Sequence, residues 1–417
     1  MRVFKFGGAS VKDANAVKNV VNVLDTTGFS ELVIVVSAMG KTTNALEEIV
    51  ALYVDTDVAY KKNILDLHDF HVDILDALFD SQHYPVFTKV EALFKDLQTM
   101  LIRNKSNQYD FIYDQTVSYG ELIATTIISE YLNHKGYTNE WIDARDLIKT
   151  NQVYRDAEVD WQKTQDCIVT KINKKGLSIT QGFIGSDTHN FTTTLGREGS
   201  DYTAGIFAYC LGANSVSIWK DVPGVLNADP RVFENTNLLS HISYSEAIEL
   251  AFYGASVIHP KTIQPLQRKE IPLYVKSFLD PLSAGTSVKK GQPLDPYMPC
   301  YIVKKNQILV SLSSLDFSFI VENMISEVFN LLHEYQLKVD LIQNSAISFS
   351  VCLDDRFNHF NELLPILKAR FKVTYNIGVS LYTVRHFTKD AIDSLEKNKS
   401  ILLKQITRET YQMVALD

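Results

Sequence analysis

Cysteine is scarce. Cys167, Cys210, Cys300 and Cys352 are scattered through 417 residues with no CxxC pair. That argues against a disulfide framework or a zinc ribbon and fits a reducing, cytoplasmic setting. Long apolar runs are also missing. The densest one near the start, Leu32 to Met39, is far too short to span a bilayer. The chain opens on MRVFKFGGAS, a strand and a turn, so no secretory leader is expected. There is no basic surplus either. A formal net charge of −8 argues against a nucleic-acid or membrane-surface binder, both of which need a basic face. A few placed cations can still bind phosphate in such a protein. Phenylalanine and tyrosine abound without basic runs between them, so an RNA-stacking surface is not indicated.

What is present is a globular composition, 46% hydrophobic and 22% charged, at a length that implies two or three domains. Arg2 to Phe6 reads as a strand, Gly7-Gly8 breaks it, and Val11 to Leu24 has helical spacing. Glu31 to Val36 is a second buried strand, ending at Ser37. This order predicts an α/β fold with a parallel sheet between helices, and function in such sheets gathers at the carboxyl ends of the strands. Thr43 to about Ile128 is mostly helical in period. Strands resume near Glu140, Leu177 to Phe183 and Ser215 to Trp219, with helices at Tyr202 to Leu211 and Tyr244 to Tyr253. Asp280 to Pro299, rich in Pro, Gly, Ser and Lys, reads as a boundary. The expected catalytic domain is therefore 1–288. Residues 300–378 follow a ferredoxin-like β-α-β-β-α-β order, and 379–417 form a shorter remnant.

Four segments have the residue types for chemistry. Lys5-Phe6-Gly7-Gly8-Ala9-Ser10 places a lysine and a glycine turn where a strand meets a helix. Such a turn lets backbone amides cradle an anion, and the lysine can stabilise a phosphoryl group in transfer. It is not a Walker A loop, because the lysine precedes the glycines, and a purely structural turn reads the same way. Thr192 to Tyr202 (TTTLGREGSDY) sets Arg197 between glycines, followed by Ser200 and Asp201. Arginine there can grip a carboxylate at two points, while Ser200-Asp201 also suits a plain N-cap. Trp219 to Arg231 (WKDVPGVLNADPR) is a nucleotide loop or a solvated turn. Glu121, in SYGEL, enters an otherwise apolar helix. It needs a partner if it faces the core, although a solvent-facing glutamate is the commoner explanation.

Together these segments resemble the aspartate kinases of the amino-acid kinase superfamily. The matching stretches are KFGGAS, VSAMGKTTN, SYGEL, QGFIGSDTHNFTTTLGREGSDYTA, WKDVPGVLNADPR and YGASVIHPKT. They occur in the family's order over residues 1 to about 288. The resemblance implies an open α/β/α sandwich that transfers the γ-phosphate of ATP, with Mg²⁺ on the nucleotide, to the β-carboxylate of L-aspartate. That is the first step towards lysine, threonine, methionine and diaminopimelate. It implies that Lys5 meets the transferring phosphate, that Gly7, Gly8 and Ser10 cradle it, and that Asp201 orients Lys5. Lys220, Asp221, Leu226, Arg231, Ser256 and Val257 would line the nucleotide pocket. Ser37, Thr43, Glu121, Arg197 and Ser200 would bind aspartate, with Arg197 on a carboxylate and Glu121 on the ammonium.

The family usually has threonine at the position of Ala9 and often tyrosine at that of Leu226. Many members have lysine at that of Ser256, for which Lys261 is a candidate replacement. The C-terminal third resembles paired ACT domains, the second cut short. This implies a homodimer and an amino-acid effector, lysine or threonine. The segment Ser314 to Glu322 lacks the usual glycine, whereas Asp340 matches, so weak or altered feedback is expected. With no homoserine dehydrogenase segment before Asp417, a monofunctional enzyme is expected. Two other readings remain: a kinase of another acidic amino acid, and a catalytically weak amino-acid sensor. His68 and His71, three apart on a helix beside Asp69 and Asp73, invite a metal reading but show no third ligand. No protein-held metal is expected.

Overall fold

The computed structural model describes residues 1–255, 258–291, 293–315, 319 and 321–416. They form two units: 1–225, 238–248 and 257–296 make the first, and 226–237, 249–256 and 297–417 the second.

The first unit has strands β1 (Arg2–Phe6), β2 (Leu32–Val36), β3 (Glu140–Ile142), β4 (Leu177–Gln181), β5 (Ile184–Ser186), β6 (Thr192–Thr194), β7 (Ser215–Lys220), β8 (His241–Ser243), β9 (Leu273–Ser277) and β10 (Thr286–Lys289). Eight of them make one sheet in the order β3-β4-β2-β1-β7-β9-β10-β8, and β5-β6 is a separate hairpin. All pairings in the large sheet are parallel except β9 with β10. Strand β2 reads LVIVV and is buried throughout, as expected where helices cover both faces of a parallel sheet. Burying each such side chain contributes about 1.5–3 kcal/mol.

Helices α1 (Ala14–Thr27), α2 (Thr42–Val54), α3 (Tyr60–Leu78), α4 (Pro85–Arg103), α5 (Tyr109–His134), α6 (Ala144–Leu147), α7 (Trp161–Lys171), α8 (Gly199–Leu211) and, after α9 (Tyr244–Tyr253), which runs from the first unit into the second, α10 (Pro260–Arg268) complete the fold around this sheet. Helix α1 is started by Asp13, whose carboxylate accepts from the Ala16 amide at 2.8 Å. Helix α8 packs on β1, β2 and β7 and ends at Gly212 in the left-handed conformation. The plain N-cap alternative for Ser200-Asp201 is not seen. The cap is Glu198, and Ser200 and Asp201 lie in the first helical turn.

In the second unit, β11 (Cys300–Ser313), α11 (Glu322–Glu334), β12 (Lys338–Asn344), β13 (Ser348–Asp354), α12 (Phe360–Arg370) and β14 (Lys372–Arg385) follow the ferredoxin-like order. Helix α13 (Lys389–Glu396), β15 (Ser400–Ile406) and β16 (Thr410–Leu416) come after them. The sheet order is β12-β13-β11-β14-β16-β15. Strands β11 and β14 are each longer than their apolar cores suggest. Residues 300–304 of β11 pair with 381–385 of β14, which in turn pair with β16. The segment after 378 has only one helix and two further strands of its own, and β11 supplies its neighbouring strand. No helix among the described residues is long and apolar enough to cross a membrane, and the four cysteines are unpaired thiols.

Candidate active site

The parallel register brings the carboxyl ends of β1, β2, β4 and β7 to one edge of the first unit. Phe6 lies beside Val36 and Trp219, and Val36 beside Gln181. Lys5, Ser37, Gly182 and Lys220 therefore sit at neighbouring strand ends. Strand order reverses around β1, the usual position of a ligand crevice in such sheets.

Lys5 is buried, and its ammonium lies 2.7 Å from Asp201 Oδ1. Lys220 approaches Asp201 Oδ2 at 3.9 Å. Two cations thus converge on one carboxylate in the first turn of α8, where the helix dipole also favours negative charge. Gly7 and Gly8 follow Lys5. A Cβ on Gly8 would stand 2.9 Å from Ala38 O and 3.0 Å from Gly40 O, so only glycine fits this backbone approach. Ser10 Oγ donates to Trp219 O at 3.1 Å, tying the glycine turn to the end of β7.

Glu121 is buried, with only 2% of its surface exposed, so the solvent-facing alternative is wrong. One oxygen accepts from the Ala38 amide at 3.3 Å, and the other has no hydrogen-bond partner among the described residues. Burial pushes the carboxyl up to about 8, opposed by the Ala38 and Glu121 amides and the Lys5 charge. Such a group is incomplete until a cation or donor meets it. Ser37 and Thr43 are half-buried, and Ser200 is buried. Arg197 is exposed and has no ion pair or hydrogen bond among the described residues. Asp221 is exposed at the end of β7.

Several expected residues fall outside the described part of this unit. Leu226 and Arg231 lie on 226–237, which belongs to the second unit. The Arg231 guanidinium is exposed and held by Asp229 through bonds of 3.0 and 2.7 Å. Ser256 and Val257 lie outside the described residues. Lys261, the candidate replacement for the family lysine, is engaged by Asp156. The three threonines before Arg197 turn inward as staples. The backbone of Thr192 bonds Gln115, Thr193 Oγ1 meets Thr150, and Thr194 bonds Asp114.

Sequence reasoning missed Gly182, whose Cβ would stand 2.5 Å from Ser200 Cβ. It also missed Thr42. His71 Nδ1 donates to Leu67 O at 2.8 Å, leaving Nε2 to face the Thr42 hydroxyl at 3.4 Å. Burial lowers His71 to about 4, so the ring is neutral. His68 lies 2.8 Å from Glu91, and among the described residues no three His, Cys, Asp or Glu side chains group as metal ligands. His259 caps α10, accepting from the Lys261 amide at 3.2 Å.

The profile of the amino acid kinase family matches residues 1–277. Lysine-sensitive aspartokinase 3 of Escherichia coli is 34% identical over 359 residues, which cover 84% of this chain and 78% of that protein. Chloroplastic aspartokinase 1 of Arabidopsis thaliana is 30% identical, covering 84% of this chain and 63% of that protein. The crystal structure of E. coli aspartokinase III with aspartate and ADP, in its R-state, superposes with a TM-score of 0.84 at 29% identity, covering 100% of this chain and 96% of that one. A fold of this architecture, with this lysine–aspartate pair at its strand ends and these relatives along most of its length, places the chain in the amino acid kinase family, among the aspartokinases.

Proposed function

We propose that this chain transfers the γ-phosphoryl group of ATP to the β-carboxylate of L-aspartate, giving 4-phospho-L-aspartate and ADP. The convergence of Lys5 and Lys220 on Asp201 beside a glycine turn is the observation that carries this reading. In the reaction a carboxylate oxygen forms a bond to the γ-phosphorus as the bond to the ADP oxygen breaks. The attacking carboxylate is ionised at neutral pH, so no strong general base is needed. The task is to bring two anions together and stabilise the charge that spreads over the moving phosphoryl group.

Lys5 supplies that stabilisation, held in place by Asp201. Gly7, Gly8 and Ser10 shape the turn that receives the phosphates, and Lys220 and Asp221 border the nucleotide. When bound through the nucleotide, Mg²⁺ would offset the charge of its phosphates. Arg197, exposed and unpaired, takes the substrate's α-carboxylate in a planar two-point grip. Glu121 takes its ammonium, which completes the buried carboxylate. Ser37, Thr43 and Ser200 supply neutral hydrogen bonds around them. Ala9 offers no hydroxyl to the phosphate, a loss of about 1 kcal/mol or roughly five-fold.

The test is a substrate panel in which hydroxylamine traps the acyl phosphate. Hydroxamate that depends on ATP and aspartate, far exceeding that from glutamate or N-acetylglutamate, supports the reading. Well-folded protein that yields none would favour an amino-acid sensor.

We also infer a homodimer assembled through the second unit, and weak or altered feedback by lysine or threonine. The relative whose structure was solved with lysine and aspartate in a T-state supports an effector role for this unit. Here, however, the buried Asp340 is already paired with Lys304 at 2.8 Å and Lys338 at 3.3 Å. Both lysines meet Oδ1, so an effector ammonium approaching Oδ2 would meet a carboxylate whose charge the chain has already offset. Of the glycine-free loop, Asp316, Phe317, Ser318 and Ile320 lie outside the described residues.

A further inference from the structure

Asp114 is a buried carboxylate that the proposed chemistry does not use. It lies on α5, seven residues before Glu121. Two helical turns separate them, about 10 Å along the axis, so both project from nearly the same side of the helix. Its oxygens are fully occupied. Oδ1 accepts from Thr194 Oγ1 at 2.8 Å and Oδ2 from the Thr194 amide at 2.8 Å. The Arg155 amide is 3.1 Å from both. Thr194 closes β6, and Arg197 follows three residues later. The next residue on the helix, Gln115, binds the other end of β6, donating to Thr192 O at 2.8 Å and accepting from Thr192 N at 3.2 Å. The segment held at Arg155 is tied to the same strand, because the Ala157 amide donates to Thr194 O at 2.9 Å. Arg155 itself has φ 69°, a conformation that costs a non-glycine residue energy and persists only when its surroundings enforce it.

We propose that Asp114 is a positioning residue for the amino-acid subsite: it fixes the strand leading into Arg197 against the helix that carries Glu121. In this way it sets the distance between the guanidinium and the carboxylate that grip the substrate's α-carboxylate and ammonium. This rests on the aspartate-binding roles proposed for those two residues. The arrangement also titrates. Burial raises Asp114 to about 6, opposed by its bonds from Thr194 and Arg155. Asp110 and Tyr113 on α5 face it, as do Tyr154 and Arg155 from the packed segment. Arg155 directs its guanidinium over the Tyr113 ring and towards Glu47 and Asp110. Protonating Asp114 turns an acceptor oxygen into a donor that opposes an N–H, so the staple weakens as pH falls through about 6.

The experiment is steady-state kinetics of the full chain, wild type against Asp114→Asn and Thr194→Val, from pH 5 to 8. Asp114→Asn is expected to raise KM for aspartate roughly ten-fold or more, with kcat changed far less and KM for ATP little moved. Thr194→Val removes only the hydroxyl bond and should raise the aspartate KM by roughly three- to five-fold. It keeps the test alive if Asp114→Asn does not fold. Wild-type KM for aspartate should climb as pH falls, with a Glu121 component near 8 that persists in Asp114→Asn and a further component near 6 that flattens in it. A purely structural role would lower the amount of active enzyme without this KM split or pH difference. Acyl phosphate from wild type with unchanged aspartate KM in the variants would overturn the positioning role alone. No acyl phosphate from wild type would overturn the proposed function and this inference with it.

Discussion

Glu121 shows how burial alone can turn a side chain into half of a binding site. Its carboxyl titrates near 4.5 when unfolded and at about 8 when folded. The folded state therefore holds the extra proton between those values, and Glu121 makes the ligand-free protein less stable as pH rises through that window. Glu121→Gln removes the slope. Thermal unfolding at pH 8.5 should show the variant melting above wild type, by about 1–2 °C for each kcal/mol relieved, with the gap closing towards pH 4.5. The same variant should raise KM for aspartate by roughly 10–100-fold, because a charge-assisted bond to the ammonium is lost. The residue type and its place in SYGEL were readable in the sequence, but its direction was not. Helix α5 is buried on nearly every side, from Ile112 to Leu132, so no amphipathic stripe marks which face looks inward.

At the scale of elements, the site depends on strand ends and one helix start lying within van der Waals contact. The β1–glycine turn and α8 were legible from local chemistry, since apolar runs, paired glycines and a closing Gly212 signal themselves within a few residues. Gly182 was not, because its neighbour Ser200 is close only after β4 and α8 have packed. Gly182→Ala puts a methyl 2.5 Å from Ser200 Cβ and 2.8 Å from its Cα. Backbone cannot yield as a side chain tip does, so the first turn of α8 must move and take Asp201 away from Lys5. We expect kcat to fall by about 10–100-fold together with a lower Tm, measurable by hydroxamate kinetics and calorimetry. The lengths of β11 and β14 escaped local reading for the same reason. Their outer halves pair with residues far away in sequence, and the β-period around Lys304 to Gln307 is interrupted by a register shift.

Across the whole molecule, the second unit has a ferredoxin-like fold in which Lys304 and Lys338 both meet Asp340 Oδ1. If Lys304 takes the place of an effector ammonium at Asp340, Lys304→Met should increase inhibition by lysine or threonine, whereas wild type should resist millimolar concentrations of either. Wild-type inhibition by lysine at or below millimolar levels would contradict this. The edge strands of that unit leave apolar side chains in solvent, Ile342 at 43% and Ile406 at 61% exposed. Such edges invite pairing with another copy. Light scattering should therefore report a dimer, and Ile342→Lys with Ile406→Lys should shift it towards monomer.

In the proposed reaction labour is divided, with Lys5 acting on the moving phosphoryl group and Arg197 holding the amino acid. The direct measurement is aspartate- and ATP-dependent hydroxamate formation by Lys5→Met and Arg197→Ala beside wild type. Lys5→Met should lose at least about 100-fold in kcat with the aspartate KM little changed. Arg197→Ala should instead raise the aspartate KM by roughly 10-fold or more. Two folded variants with wild-type kinetics, or with effects exchanged between them, would contradict this division.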